Sequence, residues 1–389
     1  MTLWYNNTYY VKLKKQRISA NLFIMSDPNT IRILEIDGGG QRGYFSLNWL
    51  DKFIQLWGID PATIASKFDV ICGTSVGGIM ALSIAKGMTP SQMYPFFTTQ
   101  GPYIFSLSSL YPSYRPNSAF KAALVATDTP FYASSGLTAN SYGAGLLKTT
   151  VQNTFETKTL NQLNTNVVIT SYEQNTSTFR VFSNANVSGY IGQNALASDV
   201  ALATSAAPVY LPAWTIGANT YLDGGVYNNN PSQFGVSLGQ VLKPTAKRIC
   251  LLSIGTGRGE YGFDPSGNPS PPPGCTDPKI WKAYALSQTP QYQDLGAPNA
   301  FSTISQIMGL FTLASVGGQE SVAESYRQLS SYGGRQFYSY RMNMTLDPTI
   351  DTELDATSST SMNYFASAAN NLFSTDIANV TTFLGHLTA

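Results

Sequence analysis

Apolar residues along this chain fall into short continuous runs and into longer stretches whose apolar positions lie three or four residues apart. Continuous runs of this length are typical of buried strands, and the spaced stretches are typical of amphipathic helices. The predicted strands are Ile31–Ile36, Phe68–Cys72, Val167–Thr170, Phe179–Phe182, Tyr221–Leu222, Ile249–Ile254 and Arg335–Met342. The predicted helices are Phe45–Trp57, Ile79–Ala85, Ile304–Leu313 and Met362–Phe373. Because strands and helices alternate, the pattern predicts a mainly parallel sheet with helices on both faces, and a local hairpin at 167–182.

This alternation predicts an α/β fold class, a three-layer α/β/α sandwich around a central sheet. The 389 residues are enough for one large domain with its own core. We expect this division of the chain: an N-terminal extension at 1–30, and a single domain at 31–385 with a motif-bearing core at 31–257 and a C-terminal helical portion at 300–385.

A glycine-rich loop, Asp37-Gly38-Gly39-Gly40-Gln41-Arg42-Gly43, follows the first predicted strand. Its three consecutive glycines allow successive backbone N–H groups to face one point beside the start of a helix, and such a place suits an anion or an oxyanion. The same loop satisfies G-x-G-x-x-G, which leaves a dinucleotide site as an alternative. That alternative lacks an acid at the end of a second strand, since the nearest candidate, Asp60, precedes Pro61 and caps a helix.

A serine lies between glycines at Gly73-Thr74-Ser75-Val76-Gly77, between a predicted strand and a predicted helix. A nucleophile on a sharp strand-to-helix turn needs glycines two residues away on each side, because the turn leaves no room for their β-carbons. Ser75 is therefore the candidate nucleophile. A tight turn with an incidental serine is the structural alternative.

The base for such a serine is usually a histidine. The single histidine here, His386, lies three residues from the C-terminus, where chains usually fray. Asp223, in Asp223-Gly224-Gly225, is the candidate base instead. It follows the predicted strand Tyr221–Leu222, and an acid at the carboxyl end of a parallel strand points into the crevice where open α/β sheets place their sites. A turn aspartate before glycine is the alternative.

The three motifs together predict one mechanism. Ser75 attacks an acyl carbonyl, Asp223 takes its proton and returns it to the leaving alcohol, and the N–H groups of Gly38–Gly40 and Val76 stabilise the oxyanion. A free aspartate is a weak base, with a pKa of about 3.9, so Asp223 has to act from close range in a partly desolvated site.

Composition narrows the function further. A net charge of +1 and a charged fraction of 12% give no support for nucleic-acid binding. One histidine and three widely spaced cysteines supply neither a zinc site nor a disulfide framework, and we expect no metal and no organic cofactor. We also expect no transmembrane segment, and a soluble protein that is cytoplasmic or peripheral to membranes.

In these three motifs and in their order, the chain resembles the patatin-like phospholipases. The resemblance includes Ala203–Pro212 and Leu252–Gly257 and spans about residues 30–375. It implies a Ser–Asp dyad lipid acyl hydrolase on an α/β/α fold, which releases fatty acids from phospholipids or other glycerolipids. It also implies that Arg42 lies close to the oxyanion loop. The motif glycines it implies are Gly43, Gly73, Gly77, Gly224 and Gly225.

Several functions and partners are left open by the sequence. Acyl transfer to an alcohol instead of water is an alternative, because the acyl-enzyme does not dictate its acceptor. A nucleotide-binding oxidoreductase and a non-catalytic lipid-binding or storage protein are two further alternatives. We expect a lipid substrate and transient membrane-surface contact through the segment 101–118 (Tyr103, Tyr111 and Tyr114). Whether a protein activator is needed is left open. The proline-rich segment 257–300 departs from the family and leaves substrate preference open.

Overall fold

The computed structural model describes residues 27–105, 144–208, 210–258, 262–263, 269–270, 322–323, 325–347, 349–350, 352 and 354–389. Its strands are β1 (Thr30–Ile36), β2 (Val70–Thr74), β3 (Asn166–Glu173), β4 (Thr178–Phe182), β5 (Trp214–Ile216), β6 (Asn219–Asp223), β7 (Arg248–Ile254), β8 (Gly262–Phe263), β9 (Pro269–Ser270), β10 (Ser331–Tyr332) and β11 (Arg335–Met342). Its α-helices are α1 (Gly43–Trp57), α2 (Val76–Lys86), α3 (Pro90–Pro95), α4 (Gly101–Ile104), α5 (Ala144–Phe155), α6 (Ala197–Thr204), α7 (Ser232–Leu242), α8 (Ser359–Thr375) and α9 (Ile377–Thr388).

Within these residues, nine strands form one sheet in the order β10-β11-β7-β1-β2-β3-β6-β5, with β4 paired to β3 beside this path. The five strands from β11 to β3 run parallel. An apolar layer that includes α1, α2 and α8 lies on one face of the sheet, and a smaller layer that includes α7 lies on the other. This architecture is the predicted three-layer α/β/α fold with a mainly parallel sheet.

Strand β1 lies at the centre because it has apolar residues on both of its faces. Ile31 and Ile33 pack in the layer with α7, whereas Leu34 and Ile36 pack in the layer with α1 and α2. All seven of its residues are buried, as expected for a parallel strand covered on both sides. The strand therefore delivers Asp37 and the glycine loop to the carboxyl edge of the sheet.

All seven predicted strands are present, and β11 has the predicted bounds. The helices predicted at 45–57, 79–85 and 362–373 are confirmed as α1, α2 and α8, and the predicted hairpin is the antiparallel pair β3–β4. The predictions that lie outside the described residues are residues 1–26 of the extension, residues 106–118, the helix at 304–313 and most of the segment 257–300. None of the described helices has the length and hydrophobicity needed to cross a bilayer.

The strand that carries Asp223 differs from the prediction in its direction. β6 runs antiparallel to β3 instead of parallel, and Asp223 lies opposite Ser171. The reason is that β5 and β6 form a hairpin, so β6 runs opposite to β5, and no helical crossover lies between them. β2 pairs with the first part of β3 and β6 with the last part, while β4 occupies the other edge. β2 and β6 therefore meet end to end. As a result, Thr74 and Asp223 lie opposite consecutive residues of β3, Thr170 and Ser171.

Candidate active site

Ser75 lies on the sharp turn between β2 and α2, with a φ of 55° and a ψ of −127°. A positive φ is costly for a residue with a β-carbon, and it persists only where the surroundings hold it. The Ser75 N–H donates to Thr204 Oγ1 at 2.9 Å, and the Thr204 hydroxyl donates to the carbonyl of Thr170 at 2.7 Å. The Ser75 carbonyl accepts the N–H of Ile79 at 3.0 Å, which starts α2. The strained turn is thus fixed on both sides.

The motif glycines are places of close backbone approach. A β-carbon at Gly73 would overlap backbone atoms of Gly77, and one at Gly224 would overlap Thr170. A β-carbon at Gly77 would overlap the carbonyl oxygen of Ile36, so the prediction that this turn leaves no room for β-carbons is confirmed. Gly43 begins α1 against the side chain of Val76, where a β-carbon would come within 2.9 Å.

Asp223 is buried at the end of β6, with 1% of its surface exposed. Its Oδ1 accepts the N–H of Gly225 at 2.7 Å, and its Oδ2 makes no hydrogen bond of normal geometry within the described residues. Burial raises the pKa of Asp223 to about 7, against smaller lowering effects of the Ser75 hydroxyl and the Gly225 N–H. The carboxyl group can therefore change its protonation state near neutral pH, beside the Ser75 hydroxyl.

The glycine loop is held mainly through the carbonyl of Gly38. That oxygen accepts the side-chain amide of Asn229 at 3.0 Å and the hydroxyl of Thr256. The Gly38 N–H donates to the Asn229 carbonyl at 3.3 Å. The N–H groups of Gly39 and Gly40 make no hydrogen bond to the residues that the structure describes, and both residues line the pocket around Ser75. Of the three loop N–H groups, these two are available to a ligand.

Arg42 and Val76, the other predicted oxyanion residues, line the same pocket. The Arg42 Nε donates to the carbonyl of Gly39 at 3.3 Å, and its backbone N–H donates to the same oxygen at 3.1 Å, so this side chain braces the loop. Val76 is the first residue of α2, where a backbone N–H has no partner within the helix.

Ser75, Asp223 and the glycine loop lie at one pocket of about 700 Å³, including the open solvent at its mouth. Its apolar lining consists of Val76, Ile79, Phe96, Ile104, Phe105, Leu147, Ala207, Leu211 and Leu354. A few polar groups at an otherwise apolar wall suit a substrate with a hydrophobic part next to its reactive group. The described residues contain no cluster of histidine, cysteine and carboxylate side chains that could hold a metal ion.

The single histidine lies elsewhere in the fold. The ring of His386 stacks on Tyr338 with centroids 4.0 Å apart, and His386 is absent from the described lining of the pocket. The expectation that this end of the chain frays is wrong, because α9 buries Val380, Phe383 and Leu387 against the rest of the molecule.

Three consecutive asparagines that the sequence analysis did not select connect the motifs. The Asn228 carbonyl accepts the Thr74 hydroxyl at 3.0 Å, the Asn229 side chain holds Gly38, and the Asn230 amide donates to Asp37 at 2.8 Å. All three are buried. Their position, which begins five residues after Asp223, was the available signal, but an asparagine run more often indicates a turn.

The sequence model of the family described as Patatin-like phospholipase matches residues 34–233, just over half of the chain. The chain belongs to the patatin-like phospholipase family. The matched segment contains all three motifs at the pocket, and membership of this family supports a lipid-hydrolase activity.

Several named proteins are similar to this member of the family. A cGAMP-activated phospholipase of Vibrio cholerae is 32% identical over 253 residues, 61% of this chain and 67% of that protein. Patatin-like protein 2 of Arabidopsis thaliana is 30% identical over 262 residues, 59% of this chain and 60% of that protein. Calcium-independent phospholipase A2-gamma of Oryctolagus cuniculus is 29% identical over 242 residues, 59% of this chain and 28% of that protein. The chain thus spans two thirds of the first protein, three fifths of the second and less than a third of the third.

Among solved structures, VipD from Legionella pneumophila aligns with 88% of this chain and 67% of its own, at a TM-score of 0.36 and 12% identity.

Proposed function

We propose that this protein is a serine esterase of the phospholipase A type, which releases fatty acids from phospholipids or other glycerolipids through an acyl-serine intermediate. The observation that carries the proposal is the position of buried Asp223 beside Ser75, at the end of a strand that meets the nucleophile's own strand end to end. Family membership supports the lipid class of the substrate.

In the proposed reaction, Asp223 takes the proton of the Ser75 hydroxyl as the oxygen attacks the acyl carbonyl. The carboxyl then gives that proton to the leaving alcohol, and a water molecule repeats the sequence on the acyl-enzyme. The raised pKa of Asp223, about 7, makes it a stronger base than a solvent-exposed aspartate. A histidine is not required for this cycle.

The negative charge on the attacked carbonyl oxygen needs donors that are already aimed at it. We assign this role to the N–H groups of Gly39, Gly40 and Val76. Gly38 and Arg42 support the loop instead, because the Gly38 N–H and the Arg42 Nε both donate to backbone carbonyls. Each donor in comparable sites contributes about 3–4 kcal/mol to the transition state.

The alternatives differ in what supports them. An acyltransferase would use the same residues and differ only in its acceptor alcohol. A dinucleotide site is disfavoured, because β2 ends in Thr74 and leads into Ser75, while Asp60 caps a 3-10 helix by accepting the N–H of Ala62 at 3.0 Å. A non-catalytic lipid-binding protein would not need the strained backbone of Ser75.

The test is fatty-acid release from mixed phospholipid vesicles by the wild type, Ser75→Ala and Asp223→Asn. We expect release by the wild type and none by either variant, each of which has to remain folded by circular dichroism. Glycerol added as an acceptor separates hydrolysis from acyl transfer. Because a relative is named as activated by cGAMP, the assay is run with and without cGAMP. A Ser75→Ala protein that still releases fatty acid would reject the proposal.

A further inference from the structure

A cluster of buried polar side chains lies directly beneath the glycine loop. Its members come from four separate parts of the chain: β1 and the residue after it, the asparagine segment, β7 and β11. They are Glu35, Asp37, Asn230, Ser253 and Arg341. Polar groups this deeply buried are costly unless they are paired, so the cluster needs an explanation.

Asp37, the residue that precedes Gly38, is held from three directions. Its Oδ2 accepts Arg341 Nη2 at 2.6 Å, and its Oδ1 accepts the Asn230 amide at 2.8 Å. Its backbone N–H donates to the carbonyl of Ile254 at 3.0 Å. The side chain of Asp37 is fully buried and that of Arg341 is 4% exposed, so water does not weaken their ion pair.

The cluster contains two carboxyl groups and one guanidinium. Burial and the neighbouring Asp37 raise the pKa of Glu35 well above its usual value, which disfavours its charged form. The Nη1 of Arg341 lies 3.8 Å from Glu35 Oε2, whereas its Nη2 lies 2.6 Å from Asp37 Oδ2. Nη1 also donates to the Ser253 hydroxyl at 2.9 Å. Its charge is therefore directed at Asp37, and its two terminal nitrogens donate to Asp37 and Ser253.

Asp37 matters because three glycines follow it. Glycine backbones have the widest conformational freedom, whereas oxyanion donors act only when they are oriented before the reaction. One end of the loop is fixed by Asp37. The other end is fixed by the Gln41 N–H, which donates to the carbonyl oxygen of Leu354 at 2.8 Å. The first anchor depends on a partner 304 residues away in sequence.

We propose that Arg341 is a positioning residue, which orients the N–H groups of Gly39 and Gly40 towards Ser75 by holding Asp37. This inference rests on the proposed acyl-hydrolase function. Arg341 is not among the residues that line the pocket around Ser75, so we expect its loss to affect the transition state more than substrate binding. A misplacement of about 1 Å at such a site can reduce the rate about 100-fold.

The experiment compares Arg341→Met, Arg341→Lys and Arg32→Met with the wild type. Arg32 is the matched control, since it is also a buried arginine. It lies in the first half of β1, away from the glycine loop, and its Nε donates to the carbonyl of Leu387 in α9 at 2.7 Å. The readouts are kcat and KM on a water-soluble acyl ester, and affinity for an alkyl trifluoromethyl ketone, whose adduct with Ser75 carries the oxyanion.

For Arg341→Met we expect kcat to fall roughly 30- to 100-fold with KM within about threefold, and ketone affinity to fall by a similar factor. Arg341→Lys should lose about tenfold, because an ammonium keeps the charge but not the fork. Arg32→Met should keep kcat within about twofold while losing stability.

A folded Arg341→Met protein with unchanged kcat and ketone affinity overturns the inference. If that variant does not fold, Arg341→Lys decides in the same way. A wild type that neither hydrolyses esters nor binds the ketone overturns the proposed function itself, and this inference with it.

Discussion

Gly77 of α2 lies so close to the carbonyl oxygen of Ile36 in β1 that a β-carbon at residue 77 would overlap it. The helix that begins at the nucleophile is therefore packed backbone to backbone against the strand that leads into the glycine loop. This contact sets the distance between Ser75 and the proposed oxyanion donors.

Gly77→Ala should therefore reduce both stability and hydrolysis. We expect a loss of roughly 1–3 kcal/mol in the free energy of unfolding, because overpacking against backbone atoms cannot be relieved by a side-chain rotation. Fatty-acid release should be abolished. Gly385→Ala is the control, since that glycine lies in α9 with nothing within 4 Å of a β-carbon and should gain up to about 1 kcal/mol. Urea unfolding of the two variants is the measurement, and equal stabilities would contradict this packing.

The pKa of Asp223, about 7, predicts a pH dependence of activity. Protonated Asp223 cannot accept the serine proton, so kcat/KM on a soluble ester should rise with pH and reach half its maximum near pH 7. A profile that is flat between pH 5 and pH 9 would argue against Asp223 as the base.

The same pKa predicts that Asp223→Asn stabilises the protein at high pH. Between about pH 4 and pH 7, the folded protein keeps a proton that the unfolded chain has already released, so wild-type stability falls as the pH rises through this window. Asparagine does not ionise and avoids that loss. We expect an advantage of roughly 1–4 kcal/mol for the variant at pH 8 and almost none at pH 4. Urea unfolding at the two pH values tests this difference, and a variant less stable than the wild type at pH 8 would refute it.

His386→Ala should leave hydrolysis unchanged. The ring stacks on Tyr338, so its removal should cost about 0.5–1.5 kcal/mol of stability through lost contact. Fatty-acid release should stay within about twofold of the wild type. A folded but inactive His386→Ala protein would mean that the Ser75–Asp223 pair is not sufficient.

Tyr103 is 64% exposed and precedes Ile104 and Phe105, which line the pocket. Tyrosine favours the membrane–water interface, so Tyr103→Ser should weaken binding to neutral phospholipid vesicles about threefold. Hydrolysis of a soluble ester should not change. Tyr332→Ser on β10 is the control, since Tyr332 is also exposed, at the sheet edge opposite β5. An equal loss in both variants, seen by vesicle sedimentation, would reject a specific role for Tyr103.

Local sequence was sufficient for the strands and helices of the core and for the turn at Ser75. The run Arg335–Met342 has its predicted bounds, and its buried residues Phe337, Tyr340 and Met342 are separated by partly exposed ones. The direction of β6 could not be predicted, since parallel and antiparallel strands of two or three apolar residues have the same local pattern. The contact between Asp37 and Arg341 was also beyond reach, because neither residue has a neighbour in sequence that indicates the other.

The Asp37–Arg341 pair also limits how this protein can be divided. A fragment cut to the family-matched segment, residues 34–233, would keep Asp37 and Glu35 but lose the guanidinium that faces them. An uncompensated carboxylate would then lie beneath the glycine loop, and such charges are strongly destabilising. For protein engineering, the smallest independent unit of this chain is therefore set by charge balance and has to include β11.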